Sequence, residues 1–316
     1  MKKITVCIVT ALLLFFALFF AVPREATVTD FAMDTVVSIT VRSRNPKRVA
    51  RLAMDEVKRV ENLMSATLPQ SEIYAVNSQD AGRETAVSDE VYELVKMCLE
   101  VSDRTDGAFD ISVEPLLKIW NIKSPEPTVP NEEQIEKALE LVNYKNIVLN
   151  PKTKSITLKK EGMKISLGAV AKGYAADMAV KKLKENGVED ALIDLGGNIY
   201  ALGQKKIGIQ TPFEERGKYF TVCDAEDTSV VTSGAYERYF EEEGNIYHHI
   251  LDTRSGYPAD SGLLSATVVA ENSALADALS TALFAMGEER AESVISSFDG
   301  VWAILLTEDK RIAEIN

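Results

Sequence analysis

Ala276-Asp277-Ala278-Leu279-Ser280-Thr281-Ala282-Leu283 lies inside an apolar run that extends from Ala274 to Met286. The run reads as a buried helix, and its neighbours set the fold class. Several short strands precede it, and a closing strand is expected at Val301–Leu306. Within the helix, Asp277 and Thr281 stand four residues apart, which stacks a carboxylate and a hydroxyl on one face about one turn apart. Neither group belongs in an apolar interior unless it is paired. A hard cation with oxygen ligands is one fitting partner. The other is local: an Asp bonded to backbone amides and a Thr bonded to its own helix.

Working outward, residues 27–41 suggest one strand rich in Val36, Val37, Ile39 and Val41. Val49, Leu52, Ala53, Val57, Val60 and Leu63 fall at helical spacing and predict a helix over Pro46–Met64. Ser88, with Asp89 and Glu90 behind it, opens a second helix that runs to Arg104. A third is expected from Glu132 to Leu141 behind Asn131. Short strands are expected at Ile147–Leu149, Ser155–Leu158, Lys164–Leu167 and Ala191–Leu195, with a helix from Ala171 to Asn186 closed by Gly187. Helices and strands mix without a βαβ rhythm, so the fold class is α+β. No linker divides residues 24–316 into autonomous domains.

The chain has 316 residues and a net charge of -13. Such acidity argues against nucleic acid as a partner, and no basic stripe interleaved with aromatics offsets it. Lys2 and Lys3 precede an almost unbroken apolar run from Ile4 to Val22. About 19 such residues just span a bilayer. Residues 1–23 therefore read as a signal anchor or signal peptide. The absence of a convincing cleavage site favours an uncleaved anchor, held with its lysines inside. The remaining chain is then expected outside the cytoplasm, attached to the cell membrane. Cys98 and Cys223, the only cysteines beyond that run, are too few for a disulfide framework.

Four segments combine polar groups with glycine. Ile165-Ser166-Leu167-Gly168-Ala169-Val170-Ala171-Lys172-Gly173-Tyr174 passes from strand through a small-residue turn into a helix. Free N–H groups, the helix dipole and Lys172 suit a phosphate there. Tight helix–strand packing explains the same residues equally simply, and the spacing is not that of a P-loop. Leu192-Ile193-Asp194-Leu195-Gly196-Gly197-Asn198 and Thr232-Ser233-Gly234-Ala235-Tyr236 are turns that either admit a ligand or merely reverse the chain. His248-His249-Ile250-Leu251-Asp252-Thr253-Arg254-Ser255-Gly256 holds the only two histidines. On a strand they point to opposite faces, so at most one serves a given site, as a general base. A surface pair is the alternative.

Together these segments, with Met33-Asp34-Thr35 and Asp106-Gly107-Ala108-Phe109-Asp110-Ile111-Ser112, resemble the ApbE family of FAD:protein FMN transferases. The resemblance also includes Gly168–Asp177, Asp194–Asn198, Thr232–Gly234, His249–Gly256 and Ala276–Thr281, seven elements in the family's order. It implies an ApbE-like, T-fold-related α+β architecture over residues 24–316. It also implies a magnesium-dependent enzyme that transfers FMN from FAD to a Thr or Ser of an exported flavoprotein, a subunit of a membrane redox complex, and releases AMP. Carried onto this chain, the Mg²⁺ ligands are the Ala169 carbonyl and the side chains of Asp277 and Thr281. FAD contacts fall to Met33, Thr67, Ala108, Phe109, Asp110, Ser166, Lys172 and Leu251, and catalysis to His249. Ser280 occupies a place where some relatives carry a second carboxylate. Two other outcomes fit the same residues: hydrolysis of FAD to FMN and AMP, and FAD binding without catalysis.

Overall fold

The computed structural model describes residues 22–215 and 217–316. The expected membrane segment thus lies, but for its last two residues, outside the described residues. Among those described, no helix is long and apolar enough to cross a membrane. The chain adopts the expected α+β class. Its centre is an eight-stranded sheet, and every strand pairing in it is antiparallel.

The sheet begins differently from the sequence expectation. Instead of one strand over residues 27–41, the chain makes a hairpin of β1 (Arg24–Ala32) and β2 (Thr35–Ser43), with Ala32 paired to Thr35. Its two-residue turn, Met33-Asp34, has φ of 53° and 59°. Such turns normally advertise themselves as Asn-Gly or Asp-Gly. Met and Asp give no such signal, and the strain of about 1 kcal/mol or more per residue is held by the paired strands.

After the hairpin come α1 (Pro46–Met64), α2 (Glu72–Asn77), β3 (Thr85–Ala86), α3 (Asp89–Arg104), α4 (Glu114–Trp120) and α5 (Glu132–Leu139). Pro46 opens α1 where its missing N–H costs nothing, and Val49, Ala53, Val57 and Val60 form the buried face. Ser88 caps α3 by accepting from the Val91 N–H, as the sequence indicated. The helix from Glu132 stops at Leu139, two residues short of expectation.

β4 (Ile147–Asn150) pairs with β5 (Ser155–Leu158), and β5 with β3, in a small separate sheet. The strand expected at Lys164–Leu167 does not form. Both amide atoms of the Asn77 side chain bond the backbone of Ile165, each at 2.8 Å, and the Ser166 N–H donates to the Ile111 carbonyl at 2.7 Å. A side chain has taken the place of a neighbouring strand, which no period-2 pattern reveals.

The rest of the chain completes the large sheet. It contains α6 (Ala171–Glu185), β6 (Ala191–Asp194), β7 (Asn198–Gln210), β8 (Tyr219–Gly234), the detached hairpin β9 (Tyr239–Glu242) and β10 (Asn245–His248), β11 (Leu263–Ala270), α7 (Ser273–Met286), α8 (Glu288–Ile295), β12 (Trp302–Thr307) and β13 (Ile312–Ile315). Strand order is β1-β2-β6-β7-β8-β11-β12-β13. Helix α7 is the apolar run that opened the sequence reading. Ala276, Ala278, Leu279, Ala282, Leu283 and Phe284 are buried on it, and it packs against β8, β11 and α6. The alternation of the strands sends Val231, Val268 and Leu305 into this main core and Val230, Val269 and Ile304 to a smaller cluster on the opposite face.

Candidate active site

Helices α6 and α7 start side by side, and each starts on an aspartate of the other. Asp177 of α6 accepts from the N–H groups of Ser273 and Ala274 at 2.9 and 3.0 Å, at the start of α7. Asp277 of α7 accepts from the Gly173 N–H at 2.9 Å, at the start of α6. Val170, the residue that would cap α6, has no side chain able to do so. Both carboxylates thus satisfy helix-terminal donors that would otherwise be buried and orphaned. The approach requires glycine at position 173, because a Cβ there would sit 2.2 Å from the Ser273 carbonyl oxygen.

The two aspartates differ in what remains open. Burial raises the Asp177 carboxyl to about 7 against the pull of its two N–H donors, and both oxygens are engaged. Burial also raises Asp277, opposed by the nearby Lys172 ammonium and the Gly173 N–H. Only its Oδ2 receives a complete hydrogen bond. Asn198 adds to the same side of the balance. Its Oδ1 accepts from Ser273 Oγ at 3.0 Å, while its buried Nδ2 completes no hydrogen bond of its own.

One turn further along α7, Thr281 Oγ1 lies 3.3 Å and Ser280 Oγ 2.8 Å from Ser233 Oγ, at the end of β8. Among the described residues, Thr281 Oγ1 makes no hydrogen bond to its own helix. Ser280 does, donating to the Asp277 carbonyl at 3.0 Å. The two side chains diverge on the helix, yet one hydroxyl from the sheet bridges them. Ala169 lies in the turn just before α6, and its carbonyl accepts no hydrogen bond among the described residues. These are hard oxygen donors, so the residues present suit Mg²⁺. Among the described residues, no three of His, Cys, Asp and Glu cluster for a metal, and the expected donor set contains only one of those types.

Other motifs converge on the same end of the sheet. The Gly196-Gly197 turn joins β6 to β7, with Gly196 at φ 66° and so close to Thr35 that a Cβ would meet its Oγ1 at 2.2 Å. The Gly197 carbonyl receives the Thr232 N–H at 3.0 Å. Met33 is half-buried, its N–H on Glu61 Oε1 at 2.8 Å, and the Asp34 carboxylate pairs with Lys123. Arg238 donates to the Asp34 carbonyl at 3.1 Å, and its own carbonyl faces His249 Nδ1 at 3.2 Å. The sequence offered no role for Arg238, whose contact with Asp34 spans 204 residues of chain.

His249 falls just beyond β10, and the two histidines separate as the alternation implied. His248 is buried, 3.1 Å from the Ala259 carbonyl and edge-on to Phe284. His249 is half-buried, its ring held beside the Arg238 carbonyl. Burial, then the positive charges of Arg238 and Lys172, hold its imidazole down to about 3. The Lys172 charge therefore acts on His249 and Asp277 together, although its ammonium has no hydrogen bond or ion pair among the described residues.

The expected FAD residues divide by surroundings. Ala108 is half-buried, whereas Phe109 is 2 % exposed and belongs to the core. Asp110 has both oxygens engaged, Oδ1 by the Ser112 N–H and hydroxyl at 2.8 and 2.6 Å and Oδ2 by the Tyr144 N–H at 2.8 Å. It thereby fixes the loop that presents Ala108. Arg254 and Thr253 tie that loop to the His249–Gly256 segment, through Asp106 and the Gly107 carbonyl. Leu251 is buried with Leu116 and Trp120, so its backbone rather than its side chain is left for a ligand. Ser166 is half-buried next to Glu114, whose carboxyl burial raises. Thr67 is exposed, and its contacts stay with Ser65.

Comparison with known proteins agrees with this assembly. A sequence model described as the ApbE family matches residues 33–305. A protein of Klebsiella pneumoniae named FAD:protein FMN transferase is 37% identical over 256 residues, 81% of this chain and 81% of its own length. One of the same name from Treponema pallidum is 33% identical over 312 residues, covering 92% of this chain and 86% of its own. The crystal structure of the ApbE protein from Thermotoga maritima matches with a TM-score of 0.85 and 34% identity, over 93% of this chain and 97% of that one. Motifs scattered from Met33 to Thr281 meet at one end of one sheet, and the likeness runs through nearly the whole described chain: it belongs to the ApbE family.

Proposed function

We infer that this chain transfers FMN from FAD to a Thr or Ser hydroxyl of an exported partner protein and releases AMP. The observation that carries this reading is the buried Asp277 carboxylate, fixed on the start of α6 by the Gly173 N–H one turn from Thr281, with the Lys172 charge felt by both it and the His249 imidazole. Storage or sensing of FAD does not require a proton acceptor beside a set of hard oxygen donors. The acceptor oxygen attacks the phosphorus on the riboflavin side of the pyrophosphate, and AMP leaves with the bonding electron pair. The acceptor proton passes to His249, directly or through one water.

Asp277, Thr281 and the Ala169 carbonyl would hold Mg²⁺, which when bound neutralises charge building on the phosphate oxygens. Lys172 binds the pyrophosphate as a point charge. Held down to about 3 in the unliganded fold, the His249 imidazole is neutral but a weak base. The negative pyrophosphate beside Lys172 and Arg238 raises its basicity toward the operating pH. The Met33-Asp34 turn and the loop presenting Ala108 frame the flavin half.

Lys2, Lys3 and the apolar run to Val22 support an uncleaved anchor, with residues 24–316 as one domain outside the cytoplasm. Such a topology brings the enzyme to exported subunits of membrane redox complexes. Incubation with FAD, Mg²⁺ and a peptide bearing an acceptor Thr tests the reaction. Covalent flavin fluorescence on the peptide is the expected result. Free FMN alone would mean water is the acceptor, and unchanged FAD would reduce the chain to a flavin binder.

A further inference from the structure

At the opposite end of the β1–β2 hairpin from the Met33-Asp34 turn, the charge of the molecule reverses. In a chain of net charge -13, residues 35–54 contain Arg42, Arg44, Lys47, Arg48 and Arg51 and no acidic residue. All five are exposed. Arg44, Lys47, Arg48 and Arg51 have no carboxylate partner among the described residues. Arg42 reaches Asp190 only at 3.9 Å, and Lys205 engages that carboxylate more closely at 2.8 Å. Cations concentrated on one face of an acidic protein call for an anionic partner.

The position of the face indicates which partner. The apolar run of residues 4–22 ends at Pro23. Pro23 shares the wall of a cavity of about 650 Å³ with Arg42, Arg44 and Arg48, and Glu189 and Asp190 form part of its lining. Arg24, the first residue of β1, pairs with Ser43. The hairpin thus fixes the basic stretch beside the point where the apolar segment leaves the domain.

We propose that this face docks on the anionic headgroups of the membrane that holds the N-terminal segment. The proposal rests on the anchor reading above, which supplies the membrane at that point. Each cation within reach of an anionic surface favours docking by about 1 kcal/mol, or roughly fivefold. Docking also orients the site. β1 carries the chain from Arg24 to Ala32, roughly 26 Å at about 3.3 Å per residue, so the catalytic end is directed away from the bilayer. Acceptors exposed above the membrane surface are then the ones within reach.

The test uses the full chain carrying Cys7→Ser and Asn45→Cys, labelled with an environment-sensitive dye at the exposed position 45. Cys98 and Cys223 are buried. The chain is floated with vesicles of phosphatidylcholine alone and of phosphatidylcholine with phosphatidylglycerol. Flotation on both, with quenching of the dye by headgroup-labelled lipid several-fold greater on the anionic vesicles and reduced by salt, is expected. Arg44→Glu/Lys47→Glu/Arg48→Glu should abolish the difference, whereas Arg44→Lys/Arg48→Lys should keep it. FMN transfer to a soluble peptide should stay unchanged in both variants.

Flotation on anionic vesicles alone would overturn the anchor reading and leave the docking face standing. Flotation on both with equal quenching would overturn the docking face and leave the anchor. No flotation on either would overturn both. A dye response that follows protein density rather than lipid charge would assign the face to a second copy of the chain and overturn the proposal.

Discussion

The starts of α6 and α7 are built alike and do different work. Each begins on an aspartate supplied by the other helix, Asp177 half-buried and Asp277 buried. Asp177 accepts two backbone N–H groups, one on each oxygen, whereas Asp277 accepts one, on Oδ2, and lies under the influence of Lys172 and Asn198. The same residue type in the same kind of place is thus a staple in one case and a candidate ligand in the other. The hydrogen bonds separate the roles more sharply than desolvation does, since desolvation raises both carboxyl groups.

Replacing Asp277 gives the sharpest contrast. In Asp277→Ala, loss of several kcal/mol of transition-state stabilisation should slow FMN transfer by about 10³-fold or more. Urea denaturation should show the smaller cost of one lost cap, about 1 kcal/mol. Wild-type transfer in this variant would erase the distinction between the two aspartates.

Gly173→Ala attacks both starts together, because the new methyl meets the backbone of Ser273 rather than a movable side chain. Separation of the helices should cost about 3 kcal/mol of stability. Transfer should fall with it, since Asp277 and Lys172 are carried on the parted elements. A fully stable, active variant would show that the close approach is dispensable.

Asp177→Ala should show the opposite ordering to Asp277→Ala. Two buried N–H groups lose their acceptor, at roughly 2 kcal/mol in denaturation. Transfer measured well below the unfolding midpoint should remain within about tenfold of wild type. A collapse of transfer with stability intact would place Asp177 in the chemistry.

The smallest effect concerns pH. His249 is neutral in the fold down to about 3, whereas in the unfolded chain it takes up a proton below about 6.5. Its contribution to stability is complete above pH 6.5 and is lost as the pH falls toward 3. The slope is at most about 1.4 kcal/mol per pH unit, and less at a half-buried ring screened by solvent. Denaturation series of wild type and His249→Gln should diverge only below pH 6.5. Identical slopes would mean that the imidazole is ordinarily hydrated.

Much of the fold was legible wherever one side chain or one period settles the backbone. Pro46–Met64, the Ser88 cap and the apolar run into α7 all declared themselves through spacing or capping chemistry. The Met33-Asp34 turn did not, because its positive φ is imposed by paired strands on residues that do not ask for it. The segment Lys164–Leu167 misled for the converse reason: its alternation is real, but its backbone partners are an Asn77 side chain and the Ile111 carbonyl.

The sequence by itself determined the site's chemical inventory. Asp277 and Thr281 at helical spacing, Lys172 beside a helix start and His249 next to a glycine turn are facts of order and residue type. It also determined the family, since seven ordered segments carry more information than any one of them. Only the tertiary structure decided which side chains act on one another. Asn198, Ser233 and Arg238 enter because the fold brings Asn198 to Ser273 and Ser233 to Thr281 across long stretches of chain, and Arg238 to His249 across the base of the β9–β10 hairpin. It alone parted the two aspartates into staple and candidate ligand. Hydrogen-bond capacity is a property of the residue, but saturation depends on what the fold brings within 3 Å of it.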